Sequence, residues 1–280
     1  MEFLSDNFLL DTPLAQKLYH EYAKDLPIID YHSHVVPKMI ADDVKLGTIT
    51  NLWLGGDHYK WRLMRNCGIE EKYITGDADD YEKFKAFASI MPLVIGNPMY
   101  VWCHLELKRY FGYDKPLCED NAKEVYDHCN KILASDDFSV KNIIKNSGVE
   151  TVCTTDDPVD TLLDHKKIAS DKNFPVKVLP TYRPDKALNI LAPTFCEYVN
   201  TFSSVSDIKI IDIDSLSNAL IKRLDFFVEN GCFITDHALT DYTFSECDKE
   251  TANSILKKAL TGEKVSEVER NSLTIPLKEN

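Results

Sequence analysis

The sequence lacks the features of a membrane-spanning or nucleic-acid-binding protein. No stretch reaches the ~18 apolar residues that a membrane-spanning helix needs. Basic residues are scarce, since 32 lysines and arginines stand against 45 aspartates and glutamates, which gives a net charge of −13. Nucleic acids and anionic membranes both bind basic patches, so neither is expected as a main partner. A small anionic substrate stays compatible, because a few local arginines can hold it.

Cysteine pairs with metal-binding or redox spacing are also absent. The eight cysteines are scattered, without a C-x-x-C pair or a dense framework. The start of the chain has neither the basic segment nor the apolar segment of a secretory signal. We therefore predict reduced thiols and a cytoplasmic location. With 280 residues and 44% apolar content, the chain can bury a sizeable core in one large domain or two ordinary ones.

The strand pattern predicts a parallel α/β fold. Four short β-rich runs are followed by polar residues and then by helical patterns, and these runs span residues 28–32, 149–155, 176–181 and 232–235. Repetition of strand, loop and helix is typical of parallel sheets whose chemistry lies at the carboxyl edge. A closed barrel of this kind needs eight strands. The chain is therefore predicted to form the first half of such a barrel, as one incomplete domain over residues 1–280.

A long helical segment separates the first two strands. Residues 36–148 contain no convincing core strand and are far longer than a simple crossover needs. Helices are predicted there at 80–90, 100–110, 121–133 and 139–146. We interpret residues 36–148 as a helical insertion on the loop after the first strand. Ahead of that strand, Thr12 and Pro13 start an amphipathic helix of about three turns.

Two histidines at the end of the first strand are the leading candidates for metal ligands. His32 and His34 are two residues apart, so on a strand they point to the same face. Imidazole is the commonest protein ligand for divalent ions at neutral pH. The alternative is a pair of surface histidines with no ion. A catalytic zinc site usually has three protein ligands, and the candidates for the third are Asp156, Asp157, Asp236, His237 or a residue that the chain lacks.

Other candidate residues carry equally open alternatives. His58, Tyr59 and Arg62 could clamp a substrate, or they could lie on a solvated helix start. Arg183 follows a predicted core strand and suits carboxylate recognition, because its guanidinium binds a carboxylate bidentately. An ion pair with Asp185 or Asp157 is the alternative there. The Asp156-Asp157-Pro158 run is also a good helix cap.

Taken together and in order, the motifs closely resemble uronate isomerase, also called glucuronate isomerase, a family of the amidohydrolase superfamily. The resemblance covers nearly the whole chain, to about Val268. The motifs that carry it are Asn7-Phe8-Leu9-Leu10, Leu18-Tyr19-His20-Glu21-Tyr22-Ala23, Asp30-Tyr31-His32-Ser33-His34, Gly56-Asp57-His58-Tyr59-Lys60-Trp61-Arg62, Gly96-Asn97-Pro98, Thr154-Thr155-Asp156-Asp157-Pro158, Tyr182-Arg183-Pro184-Asp185-Lys186 and Asp236-His237-Ala238-Leu239.

The resemblance implies a distorted (β/α)8 barrel of the TIM type and an aldose–ketose isomerisation. The implied reactions interconvert D-glucuronate with D-fructuronate, and D-galacturonate with D-tagaturonate. His32 and His34 would be first-strand ligands of a divalent ion, usually zinc. His58 and Tyr59 would face the sugar as catalytic and substrate-binding residues, and Arg183 would bind substrate oxygens. The expected partner is a small hexuronate, and a homo-oligomer is left open.

The chain departs from the family in its length. Members of the family are considerably longer, and their C-terminal part supplies the remaining strands together with an aspartate that completes the metal site. This chain is therefore expected to be an N-terminal fragment with little or no activity alone. Two alternatives stay open: a metal-dependent hydrolase of the same superfamily, and a non-catalytic remnant or binding module.

Overall fold

The computed structural model describes residues 4–238 and 247–273, with the side chains of all of these except residues 272 and 273. Within these ranges no helix is long and apolar enough to cross a membrane. All eight cysteines are free thiols. Leu239, which belongs to one of the motifs quoted above, lies outside the described residues. In chain order the elements are α1 (Pro13–Leu18), β1 (Ile28–Asp30), α2 (Pro37–Ala41), α3 (Ile49–Leu54), α4 (His58–Asn66), α5 (Asp80–Ile90), α6 (Pro98–Phe111), α7 (Ala122–Leu133), α8 (Val140–Asn146), β2 (Val149–Cys153), α9 (Leu163–Ser170), β3 (Lys177–Leu179), α10 (Asp185–Leu188), α11 (Phe195–Ser206), α12 (Ile213–Glu229), α13 (Lys249–Leu260) and α14 (Glu267–Leu273).

The chain divides into two compact units. Among the described residues, the first comprises 4–27 and 42–148 and is called the helical unit here. The second comprises 28–41, 149–238 and 247–273 and is called the sheet unit. The four helices predicted within 36–148 are all present, and α5 has the predicted limits.

The sheet unit is built on three parallel strands in the order β1-β2-β3. Ile29 pairs with Thr151, and Val152 pairs with Val178. Parallel pairing confirms the predicted α/β class, because such strands need helical crossovers between them. The strands are shorter than predicted, since β1 ends at Asp30 and β3 at Leu179.

The fourth predicted strand, residues 232–235, does not form a strand in the described part of the chain. Its backbone contacts with the end of β3 are one bridge between Thr235 and Tyr182 and two hydrogen bonds around Tyr182. Tyr182 N–H donates to the Ile234 carbonyl over 3.3 Å, and Asp236 N–H donates to the Tyr182 carbonyl over 3.1 Å. The prediction of a full strand was therefore wrong, because the pairing covers too few residues. The segment still extends the hydrogen-bonded ladder of the sheet by one position.

Aromatic packing forms the core of the helical unit. Trp53, Phe84 and Phe87 are at most 2% exposed. The ring centroid of Trp53 lies 6.0 Å from that of Phe84 and 5.7 Å from that of Phe87. Burial of aromatic rings of this size dominates the hydrophobic stabilisation of a domain. α5 carries both phenylalanines, and the Asp79 side chain caps it by accepting from Glu82 N–H over 2.8 Å.

The N-terminal helix begins as predicted, but its apolar residues are not buried. Thr12 caps α1 by accepting from Ala15 N–H over 3.1 Å. A π-helical segment, Tyr19–Ala23, follows it directly. Leu14, Leu18 and Tyr22 are each more than half exposed. The sequence period correctly indicated a helix, and the apolar face that it marks is mostly exposed.

Helices α11, α12 and α13 form a buried core in the sheet unit. Phe202, Leu216 and Leu256 are fully buried in this cluster. α12 starts with a capping box in which Asp212 accepts from Ser215 N–H, while Ser215 Oγ accepts from Asp212 N–H. Such reciprocal caps satisfy helix-start donors that would otherwise lack partners.

His104 in α6 gives the helical unit a predictable response to pH. Its Nδ1 lies 2.6 Å from the Tyr100 carbonyl and must donate, so Nε2 accepts the Leu117 N–H over 2.8 Å. Burial lowers the pKa of His104. The unfolded chain takes up this proton near pH ~6.5 and the folded chain only at lower pH. We therefore expect the free energy of unfolding to be unaffected by His104 above that pH, and to fall as the pH drops below it.

Urea unfolding at pH 7.5, 6.5 and 5.5 measures this effect. His104→Gln should lose part of the pH dependence that the unmodified chain shows between pH 6.5 and 5.5. His20→Gln is the matched control, since His20 is an exposed histidine of the same unit. Equal pH dependence in the two variants would contradict the assignment.

Candidate active site

His32 and His34 lie together just beyond β1. Between them Ser33 is 8% exposed, and its N–H donates to the Cys153 carbonyl over 2.9 Å. This bond prolongs the β1–β2 ladder by one step, so the two histidines flank a residue that is anchored to the sheet. Their Nε2 atoms are 3.1 Å apart, and their ring centroids are 4.9 Å apart. The two imidazole nitrogens thus lie within hydrogen-bond distance of each other.

A carboxylate and a guanidinium adjoin this pair. Asp236 Oδ2 lies 3.3 Å from His32 Nδ1 and 3.4 Å from an Arg183 terminal nitrogen. The same oxygen is buried and has no hydrogen bond of good geometry. Arg183 Nε donates to Asp185 Oδ2 over 2.8 Å, so the predicted Arg183–Asp185 ion pair is present. The sheet unit therefore brings His32, His34, Asp236 and Arg183 into one chain of contacts.

No third ligand joins the histidine pair within the described residues. In these ranges no group of three or more His, Cys, Asp or Glu side chains is arranged to hold an ion. Asp236 contacts the Nδ1 side of His32, away from the nitrogen that faces His34. Asp156 is buried among hydrogen bonds, Asp157 accepts from the Tyr198 hydroxyl over 2.8 Å, and His237 is paired with Asp185 at 3.7 Å.

The other two predicted site residues, His58 and Tyr59, lie in the first turn of α4 in the helical unit. Asp57 caps this helix, because its Oδ1 accepts from Tyr59 N–H over 2.9 Å and from Lys60 N–H over 3.1 Å. The His58 and Tyr59 ring centroids are 4.5 Å apart with the planes inclined by 30°. The Arg62 guanidinium carbon lies 5.6 Å from the Tyr59 ring centroid. The helix thus presents an imidazole, a phenol and a guanidinium in one turn.

A partly buried ion pair supports that turn. The Lys60 ammonium lies 2.7 Å from Asp57 Oδ2, and Lys60 is 7% exposed. Burial opposes the charge on Lys60, but neighbouring acidic groups outweigh it and hold its pKa above the usual value. This pair is not among the residues predicted from the sequence. The sequence feature that could have revealed it is the spacing of three residues between an N-cap aspartate and a lysine on one helix face.

A polar cavity of about 400 Å³ opens beside His34 in the sheet unit. Its walls are residues 34–38 after β1 and residues 155–156 and 160–165 after β2. Both segments follow the carboxyl ends of parallel strands, where α/β proteins bind ligands. His34 therefore borders a space that is large enough for a small molecule.

Comparison with known proteins identifies the family. The sequence model of the glucuronate isomerase family matches residues 1–276. This chain belongs to the glucuronate isomerase family. The match confirms the resemblance that the ordered motifs predict.

Over the matched residues, relatives within the family are identical to this chain at about half of the positions. A uronate isomerase of Lachnospira eligens is 50% identical over 270 residues, and one of Caldicellulosiruptor saccharolyticus is 52% identical over 267. The crystal structure of the Thermotoga maritima uronate isomerase aligns with a TM-score of 0.91 at 37% identity and covers 98% of this chain. This chain spans only 58%, 57% and 60% of those three proteins, respectively. The match thus covers nearly all of this glucuronate isomerase family member, whereas each of the three relatives continues well beyond the matched part.

Proposed function

We propose that this family member carries the metal-binding and carboxylate-binding part of a uronate isomerase. The observation that carries the proposal is the contact chain from His34 through His32 and Asp236 to Arg183. It combines paired nitrogen ligands with a guanidinium at the carboxyl edge of a parallel sheet. The proposed reactions convert D-glucuronate to D-fructuronate and D-galacturonate to D-tagaturonate.

The histidine pair fits a divalent ion such as zinc. Tetrahedral zinc with bonds of 2.0–2.1 Å places two nitrogen ligands about 3.3 Å apart, and the observed separation is 3.1 Å. Asp236 lies against His32 Nδ1, as the outer carboxylate of a metal-binding histidine commonly does. It favours the tautomer with the proton on Nδ1, which leaves the Nε2 lone pair for the ion. When bound, the ion would stabilise negative charge on substrate oxygens.

The remaining roles concern the substrate itself. Arg183 is proposed to bind the uronate carboxylate, since a guanidinium fork matches the two carboxylate oxygens. In the helical unit, His58 and Tyr59 are proposed to contact the sugar. Isomerisation moves one proton from C2 to C1 through an enediol, so it needs an acid–base group and fixed hydrogen-bond donors.

We also propose that the sheet unit is the first half of a (β/α)8 barrel, with residues 36–148 inserted after the first strand. In a closed barrel every strand has two neighbours. Among the described residues β1 pairs with β2 alone, and Ile28 and Ile29 are 48% and 61% exposed. Exposed apolar edges of this kind favour pairing with another strand. By this proposal the chain alone has little or no isomerase activity.

A binding comparison tests the proposed substrate class. We expect the zinc-loaded chain to bind D-glucuronate at least about tenfold more tightly than D-glucose, because only the uronate offers a carboxylate to Arg183. Titration followed by NMR chemical shifts would measure both affinities. Equal affinities for the acid and the neutral sugar would contradict the proposal.

A further inference from the structure

Arg183 is held by a short backbone ladder beyond the end of β3. Asp156 N–H donates to the Thr181 carbonyl over 3.1 Å, and Arg183 N–H donates to the Asp156 carbonyl over 3.0 Å. On its other side Tyr182 pairs with the segment that ends at Asp236. The residues proposed to bind the carboxylate and to support His32 are therefore placed by the contacts of residues 181 and 182.

The Asp156 side chain is hydrogen-bonded to the same ladder. Its Oδ2 accepts from Thr181 N–H over 3.1 Å and from the Thr154 hydroxyl over 2.6 Å. Asp156 is 4% exposed and Thr181 is 1% exposed, so both partners of the bond between them are largely shielded from bulk water. One carboxylate oxygen thus connects the end of β2 to the backbone immediately before Arg183.

A buried histidine completes the support of Asp156. His165 in α9 is 5% exposed, and its Nε2 lies 2.8 Å from Thr154 Oγ1. The Thr154 hydroxyl proton has two acceptors, Asp156 Oδ2 at 2.6 Å and the Leu179 carbonyl at 3.2 Å, so the His165 Nε2–H donates to the hydroxyl oxygen. Burial lowers the pKa of His165, which keeps the ring neutral and suits this arrangement. The Thr154 hydroxyl therefore links the Asp156 carboxylate to the His165 ring through hydrogen bonds.

We propose that Asp156, oriented by Thr154 and His165, is a positioning residue for Arg183. It acts through the backbone of residues 181–183, to which its main chain and its carboxylate are hydrogen-bonded. The hydrogen bonds that Asp156 Oδ2 accepts from Thr154 and Thr181 favour this role over the metal ligand or helix cap that the sequence left open. The importance of Asp156 for substrate binding rests on the proposed function of Arg183. The effect of Asp156 on the position of the Arg183 side chain can be measured without substrate.

Hydrogen exchange of the arginine side chains tests the proposal directly. In the unmodified chain Arg183 Nε–H is bonded to Asp185, and Arg223 Nε–H is bonded to the Pro158 carbonyl over 2.7 Å. In ¹⁵N-arginine-labelled protein, Thr154→Val should accelerate exchange at Arg183 by at least about tenfold, because it removes the hydroxyl that orients Asp156. Thr154→Ser, which restores the hydroxyl, should keep the original rate. Arg183→Lys assigns the signal, and Arg223 reports that the sheet unit stays folded.

An unchanged Arg183 exchange rate in a folded Thr154→Val protein would overturn the proposal. If that variant loses the Arg223 signal as well, Asp156→Asn is compared with Asp160→Asn. Faster exchange at Arg183 in the first variant alone supports the proposal, and equal rates overturn it. D-glucuronate titration of the same proteins separates the two claims. Absence of binding in every variant would refute the proposed function, while the exchange result would still decide the positioning role.

Discussion

Replacing His34 by alanine is expected to lower the affinity of the chain for Zn²⁺ by at least about 100-fold, more than the loss of an outer-shell partner costs. The reason is geometric, since the Nε2 atoms of His32 and His34 face each other at 3.1 Å and no third ligand stands beside them among the described residues. Either imidazole alone would leave the ion with a single protein ligand. Competition with a zinc chelator, followed by calorimetry, measures the change.

His237→Ala is the matched control for this experiment. His237 follows Asp236 directly, but its Nδ1 contacts Asp185 at 3.7 Å. We expect the control to bind Zn²⁺ as the unmodified chain does, with both variants showing unchanged circular dichroism. If His34→Ala and the unmodified chain bound Zn²⁺ equally, the histidine pair would not be the metal site.

Replacing Arg183 by methionine should weaken D-glucuronate binding by about 100-fold, because a bidentate, charge-assisted pair is lost while an unbranched apolar stem is kept. Arg183→Lys should recover only part of the affinity, since an ammonium cannot offer the two parallel N–H donors. NMR titration of the zinc-loaded variants with D-glucuronate measures both changes.

Arg109→Met controls for the loss of a positive charge. Arg109 is an exposed residue of α6 in the helical unit and has no proposed role. Its variant should bind D-glucuronate as the unmodified chain does. Should Arg183→Met bind as tightly as Arg109→Met, the carboxylate would have to be held elsewhere.

Local signals in the sequence were enough to predict most helices. α5 lies at the predicted residues, because an N-cap aspartate and a helical period of apolar residues coincide there. Strand ends were overestimated, since β propensity alone does not show where pairing stops. The segment at 232–235 is β-rich, yet it makes only one bridge to the end of β3. Tertiary contacts decide this, and a single sequence does not contain them.

The candidate site was predictable in part. The His-x-His spacing indicated two rings on one face, and the structure places their nitrogens 3.1 Å apart. The alternatives for Asp156 and Asp236 could not be separated by sequence, because both follow β-rich runs. Only three-dimensional contacts show that Asp156 lies inside a hydrogen-bond network and that Asp236 lies between His32 and Arg183. The roles proposed for His58 and Tyr59 stay predictions that rest on the family resemblance.

The N-terminal helix illustrates a different limit. Its apolar period is clear in sequence, and Leu14 and Leu18 nevertheless remain more than half exposed. A period shows which side chains share a face, whereas burial depends on what packs against that face.

The most direct test of the proposed function is the isomerase activity of a completed protein. A chimera would join the matched part of this chain to the segment that the Lachnospira eligens uronate isomerase has beyond the match. With Zn²⁺ present, the chimera is expected to convert D-glucuronate to D-fructuronate, and His34→Ala should abolish the conversion. A folded, zinc-loaded chimera that leaves both D-glucuronate and D-galacturonate unchanged would contradict the assignment of this chain to uronate isomerisation.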